Sequence, residues 1–261
     1  IRNLYMQVFK FGGASVKNAE NIKNVASIIS TYNSSELLVV VSAINKTTNK
    51  LEQVINAYYH QDGDYFGFLD EIKNEHYQIL HDLFEDPYHP VFDDVANSFV
   101  EAEWILEEEP QDAYDYLYDQ IVSLGELLST KIVAAYLVHT GMQAKWIDAR
   151  DYIQTDNTHR EGKVNWQLTE DKIRRDLPEI LDEHVVITQG FIGSTSENFT
   201  TTLGREGSDY SAAIFASCLN AEDITIWKDV PGVLNADPKW FAETELIPEL
   251  SYTDAIELTY Y

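Results

Sequence analysis

Leu37-Leu38-Val39-Val40-Val41 is an unbroken apolar run, and it ends in the polar stretch Ser42-Ala43-Ile44-Asn45-Lys46-Thr47-Thr48-Asn49. A strand apolar on both faces belongs inside a parallel sheet that is covered on both sides. Loops leaving the C-terminal ends of such strands are where open α/β sheets bind ligands. The hydroxyls of Ser42 and Thr48 are therefore candidate site groups. Thr48 can equally be read as the N-cap of a helix from about Lys50 to Tyr59.

The same alternation continues on either side. Leu4 to Phe9 reads as a strand, followed at once by Lys10-Phe11-Gly12-Gly13-Ala14-Ser15. A helix beginning at Asn18 or Asn21 comes next, with Ile22, Val25, Ala26 and Ile29 at helical spacing. Strand, Gly-Gly turn and helix form a unit whose backbone amides can cradle phosphate, and Lys10 could reach over that turn. No Gly-Lys-Ser/Thr follows, so it is not a P-loop. Downstream, strands are expected at Ala144–Asp148, Val185–Thr188 and Ile224–Trp227, with a short strand or hairpin arm at Asn198–Thr202. Helices are expected at Leu168–Leu181, through Leu219, and at Tyr252–Tyr261. Strands alternating with helices predict an α/β protein with a largely parallel sheet and right-handed crossovers.

Between Asp64 and His139 the pattern is helical, broken near Asp86-Pro87, His89-Pro90 and Glu109-Pro110. Residues 61–120 hold 18 acidic residues and a single Lys or Arg, Lys73, so the region at about 60–139 reads as a solvated acidic helical cluster. Glu126, near a helix start in Gly125-Glu126-Leu127-Leu128-Ser129, reads locally as a surface acid favoured by the helix dipole. His60, His76, His81 and His89 lack ligand-set spacing, so no protein metal site is expected there.

The second glycine-rich turn is Thr201-Thr202-Leu203-Gly204-Arg205-Glu206-Gly207-Ser208-Asp209-Tyr210-Ser211-Ala212-Ala213. Ser208 or Asp209 could cap the helix that follows. Arg205 offers a planar fork for carboxylate or phosphate. Taken alone the stretch is an ordinary capped loop with an anion site at its helix N-terminus.

Composition limits the partners. With 44 acidic against 18 basic residues, the formal charge is −26, which argues against nucleic-acid or anionic-membrane binding. No apolar run approaches the roughly 20 residues of a membrane span. One cysteine, Cys218, excludes an internal disulfide and reads as a buried, inert thiol, and a soluble cytoplasmic protein is expected.

Five motifs together resemble the aspartate kinases of the amino acid kinase superfamily. They are Lys10 to Val16; Val40-Val41-Ser42-Ala43 with Thr48-Asn49; Gly125 to Ser129; Arg205 to Ala213; and Asp229-Val230-Pro231-Gly232-Val233 with Ala236-Asp237-Pro238. The resemblance implies a three-layer α/β/α sandwich of the amino acid kinase or carbamate kinase-like kind, over residues 1–261. It implies transfer of the γ-phosphoryl of ATP, with Mg²⁺, to the side-chain carboxylate of L-aspartate. The product, 4-phospho-L-aspartate, leads to lysine, threonine and methionine. By position, Lys10 resembles the phosphate-contacting lysine, with Gly12 and Gly13 supplying amides. Ser42, Thr48, Glu126 and Arg205 match aspartate-binding positions, Glu126 for the ammonium and Arg205 for a carboxylate. Ser208 and Asp209 match the reaction centre, Asp209 orienting the lysine. Lys228, Asp229, Leu234, Asp237 and Lys239 fall in the nucleotide-binding segment. The family also implies a homodimer.

The pattern departs at four positions. The family usually has Gly at Glu206, Thr at Ala14 and Lys228, and Arg at Lys239. It also continues after the position of Tyr261 with Gly-Ala-Lys-Val and regulatory ACT domains, which these 261 residues do not contain. Two other readings stay open: a superfamily member with a different acceptor, or a fragment that binds nucleotide and amino acid without turnover. The opposite charges of Glu126 and Arg205 suit a zwitterionic amino acid and argue against a different acceptor; binding of ATP and aspartate without ADP formation would distinguish the fragment.

Overall fold

The computed structural model describes residues 5–32 and 36–260. It falls into two compact units, Ile1–Trp227 and Lys228–Tyr261. In the first unit, five parallel strands run in the order β3-β4-β2-β1-β7. They are β1 Gln7–Phe11, β2 Leu37–Val41, β3 Ala144–Trp146, β4 Val185–Gln189 and β7 Asp223–Trp227. β2 is paired on both sides, to β1 and β4, and all five of its residues are buried. A small antiparallel pair, β5 Ile192–Ser194 and β6 Thr200–Thr202, lies outside this sheet.

Two cores flank the sheet, and the period-2 alternation of the strands decides which side chain enters which. Phe9, Phe11, Val39 and Val41 point into one, packed under α1 Ala19–Ser30, α2 Thr47–His60, α3 Tyr65–Leu83, α4 Val91–Glu107, α5 Tyr114–Val122 and α6 Leu124–His139. Val8, Leu38 and Val40 point into the other, under α7 Trp166–Leu181 and α8 Gly207–Leu219. This unit is a three-layer α/β/α sandwich, as expected.

Several boundaries and roles differ from the sequence reading. β1 begins at Gln7 and continues through Lys10 and Phe11, because its register with β2 runs to Phe11↔Val41. Leu4, where that strand was expected to start, lies outside the described residues. Thr48 is not a cap: α2 already includes Thr47, and Thr48 sits in its first turn. The helical region is not merely a solvated cluster. Its acids are mostly exposed, but α6 is apolar on nearly every side and buried, because it is the helix that lies against the sheet. The stretch Tyr114–His139 is long and apolar enough by composition to cross a membrane, yet most of it is packed inside the fold.

In the second unit, Leu234 bridges Leu246 in antiparallel fashion, and Asn235 N–H donates to Glu245 O at 3.0 Å. The final helix α9 spans Tyr252–Tyr260, its first turn tied by Asp254 N–H to Ser251 Oγ at 3.1 Å. Tyr261, included in the expected helix, lies outside the described residues.

Candidate active site

The strand register that builds the second core also aims Lys10. Lys10 shares a face with Val8 and pairs in register with Val40, so it points toward the side on which α8 packs. It is buried, and its Nζ lies 2.7 Å from Asp209 Oδ1 in the first turn of α8. An ammonium so placed is held by one carboxylate while keeping donors for another anion.

Gly13 lies where the loops after β1 and β2 interlock. A Cβ there would sit 2.5 Å from Ala43 O and 2.8 Å from Asn45 O, so no other residue fits without moving backbone. Asn45 N–H donates to Gly13 O at 3.0 Å and closes the contact. A Cβ on Gly125 would meet that of Ala43 at 2.9 Å, so this glycine lets the start of α6 come up to the same loop. Glu126 is thereby delivered beneath it. Its Oε1 accepts from Ala43 N–H at 3.3 Å, and its Oε2, also buried, has no hydrogen-bond partner.

Glu126 is thus the reverse of the surface acid its local sequence suggested. Burial pushes its carboxyl up to about 8; the Ala43 amide and the charge of Lys10 pull only partly the other way. A buried polar atom without a partner carries a cost of roughly 1–3 kcal/mol, which a ligand donor would recover.

The turn leading into α8 also corrects an expectation. Neither Ser208 nor Asp209 caps the helix: the N-cap is Glu206, in a left-handed conformation (φ 56°, ψ 22°), and no side chain caps the end. Ser208 and Asp209 lie inside the first turn, which leaves that helix end to an anion. The position explains why glycine suits residue 206, since a side chain in this conformation costs about 1–2 kcal/mol.

One cavity of about 1070 Å³ gathers Lys10, Gly13, Ser42, Thr48, Glu126, Arg205, Ser208 and Asp209 along its wall. These come from strand ends and helix starts scattered over two hundred residues of chain. Gly12 does not line it, although a Cβ there would stand 3.7 Å from Lys10 Nζ. Lys228, Asp229, Leu234, Asp237 and Lys239 belong to the second unit. Within that unit Asp237 Oδ1 accepts from Lys239 N–H at 2.8 Å.

Sequence reading missed another group along the same wall: Glu52, Asp115, Tyr118, His159, Arg160 and Glu161. Behind them is Asp119, fully buried, which bonds to His159 Nδ1 at 2.9 Å. Burial raises its pKa, against hydrogen bonds from Thr202, Arg160 and His159. The available signal was an acid inside the apolar run Leu117-Tyr118-Asp119-Gln120-Ile121-Val122. Cys218 is buried, its thiol pushed up to about 11 by desolvation.

A family model for the amino acid kinase family matches residues 6–261. The lysine-sensitive aspartokinase 3 of Escherichia coli is 34% identical over 252 residues, covering 96% of this chain and 55% of that protein. A chloroplastic bifunctional aspartokinase/homoserine dehydrogenase 2 of Arabidopsis thaliana is also 34% identical, over 97% of this chain and 28% of its own length. Among solved structures, E. coli aspartokinase III in complex with aspartate and ADP superposes with a TM-score of 0.89 at 32% identity. That match covers 98% of this chain and 56% of the solved one, so the chain spans about half or less of these relatives.

Proposed function

The chain belongs to the amino acid kinase family, and on that premise we propose that it phosphorylates the side-chain carboxylate of L-aspartate from ATP. The observation that carries this reading is Glu126. Its buried, unpartnered Oε2 lies on the wall of a cavity shared with Arg205 and the Lys10–Asp209 pair. An amino acid acceptor supplies what these groups lack: an ammonium for Glu126, a carboxylate for Arg205, and a second carboxylate for transfer. The solved E. coli structure with aspartate and ADP supports the choice of acceptor and donor.

The chemistry needs no base. A free aspartate side chain has a pKa of about 3.9 and is ionised at neutral pH. One carboxylate oxygen attacks the γ-phosphorus, the new O–P bond forms, and the bond to the β-phosphate oxygen breaks to release ADP. The protein must position the two anions and offset their charge. Lys10, held by Asp209, meets the charge on the transferred group, and the open start of α8 with Ser208 adds amide donors. Gly12 and Gly13 are proposed to offer backbone amides to the phosphates, Gly13 from the cavity wall itself. Ser42 and Thr48 give hydroxyls to the acceptor.

Among the described residues no three His, Cys, Asp or Glu side chains gather as a metal cluster. Mg²⁺ is proposed to arrive with the nucleotide, held mainly by phosphate oxygens. When bound, it would offset phosphate charge. Lys228, Asp229, Leu234, Asp237 and Lys239 are proposed to hold the nucleotide. The product would enter lysine, threonine and methionine synthesis, in the cytoplasm, from a homodimer.

The test is ADP release by the full-length protein with a panel of acceptors. Release that requires L-aspartate supports the reading, whereas equal turnover on N-acetylglutamate or UMP with none on aspartate would sink it. Glu206 supplies a further check. Glu206→Gly removes the left-handed strain, but loses chain entropy of about 0.5–1 kcal/mol and a favourable helix-end charge of about 0.3–1 kcal/mol. These nearly cancel, so Tm should move by a few degrees at most. Removing a like charge beside the phosphates should lower KM for ATP about two- to fivefold. A KM for ATP that does not fall would mean that Glu206 does not face the nucleotide.

A further inference from the structure

Two of the segments that line the cavity are the turn Thr158–Glu161 and the chain from Thr202 to Glu206 that carries Arg205. Beyond Thr202, the last residue of β6, neither is regular structure, and both contain strained backbone, with φ 68° at Arg160 and φ 56° at Glu206. Something must hold them in register. Asp119, on α5, has a side chain with no exposure and bonds to both. Its Oδ1 accepts from Thr202 Oγ1 at 2.7 Å. Both its oxygens accept from Arg160 N–H, at 3.2 and 3.0 Å, and Oδ2 also meets His159 Nδ1 at 2.9 Å. The two segments touch directly as well, through Gly162 N–H to Thr202 O at 2.8 Å. A Cβ on Gly204 would lie 3.4 Å from Arg160 O.

A buried carboxylate is costly and persists where its oxygens are fully engaged. Here the engagement is divided between two lips of one cavity. We propose that Asp119 is a positioning residue that clamps the His159–Arg160 turn to the Thr202–Arg205 segment, and so sets the position of Arg205 against the amino acid acceptor. It does not touch the reacting atoms. It acts on the acceptor end of the site, because neither clamped segment includes Lys10, Gly12 or Gly13. This rests on the reading that Arg205 takes an acceptor carboxylate.

Asp119→Asn keeps the shape but loses the charge and turns a donor toward one of three donors. Thr202→Val removes one hydroxyl at equal size, and Thr202→Ser restores it. In the full-length protein, Asp119→Asn and Thr202→Val are expected to raise KM for aspartate about tenfold or more, with KM for ATP within twofold of wild type. Thr202→Ser should stay near wild type. Amide hydrogen exchange should show lost protection at residues 158–162 and 202–206 together in either variant. Unchanged exchange in both segments, or a KM rise shared equally by ATP, would overturn the clamp. If Asp119→Asn does not fold, the Thr202 pair carries the same comparison. A wild-type protein with no aspartate-dependent turnover would overturn the functional reading instead, and hydrogen exchange would then decide the clamp by itself.

Discussion

Lys10→Ala is expected to lower turnover on aspartate by about 10²–10³, the usual loss when one transition-state donor is removed from an enclosed site. Lys10 is buried at the end of a central strand, so water cannot readily replace its ammonium. On the proposed reading its removal also leaves the phosphates facing Asp209, whose carboxylate it holds at 2.7 Å. The fold should survive, because Asp209 lies in the first turn of α8, where a helix N-terminus favours a negative charge. Asp209→Asn should cost less than Lys10→Ala, since the lysine stays but is less well held. The double variant should then cost much less than the sum of the two, because both changes act on one interaction. Initial rates at saturating ATP and aspartate measure this directly. A Lys10→Ala enzyme within threefold of wild type would remove Lys10 from the reaction.

Most of the sheet was legible because its central strands are short apolar runs with little else to be. Leu37–Val41 was placed to the residue, and Val185–Thr188 lacked only Gln189. What was not legible depended on tertiary contact. Glu126 looks like a surface acid because the acidic helices around it are exposed; only the packing of α6 against the sheet buries it. Asp119 escaped for the same reason, since its partners His159, Arg160 and Thr202 are some forty to eighty positions away. Ser208 and Asp209 are good capping residue types, but the left-handed turn at Glu206 starts the helix one residue before Ser208. The motifs pointed to residues that the fold gathers along one cavity because short-range order in glycine turns is written locally. Which side of the sheet each side chain faces follows only once the β1–β2 register is known.

Glu126→Gln should act in opposite directions on activity and on the stability of the ligand-free protein. Without ligand, burial holds the carboxyl near 8, above the ordinary carboxylate value of about 4.3 that it would have in the unfolded chain. A pKa raised by folding contributes stability that is fully present below about pH 4.3 and is lost as pH rises through about 8. Glutamine is neutral throughout and keeps that stability. The thermal unfolding temperatures of Glu126→Gln and wild type should therefore coincide near pH 4, separate progressively as pH rises from about 4.3 to about 8, and stay apart by a constant amount above that, the variant more stable by several kcal/mol at most. With aspartate present the order of merit reverses. If Glu126 takes the substrate ammonium as proposed, that ammonium needs an ionised partner, so below pH 8 wild type must release a proton as aspartate binds. KM for aspartate should fall by up to tenfold per pH unit from 6 to 8 and then level off. In Glu126→Gln that dependence should vanish, with KM raised about 10²-fold for want of a buried charge partner. Calorimetry at pH 7 in buffers of different ionisation enthalpy would register the released proton. A wild-type KM that is flat from pH 6 to 8, with a stability gap that is constant in pH, would show that Glu126 is ionised before the amino acid arrives.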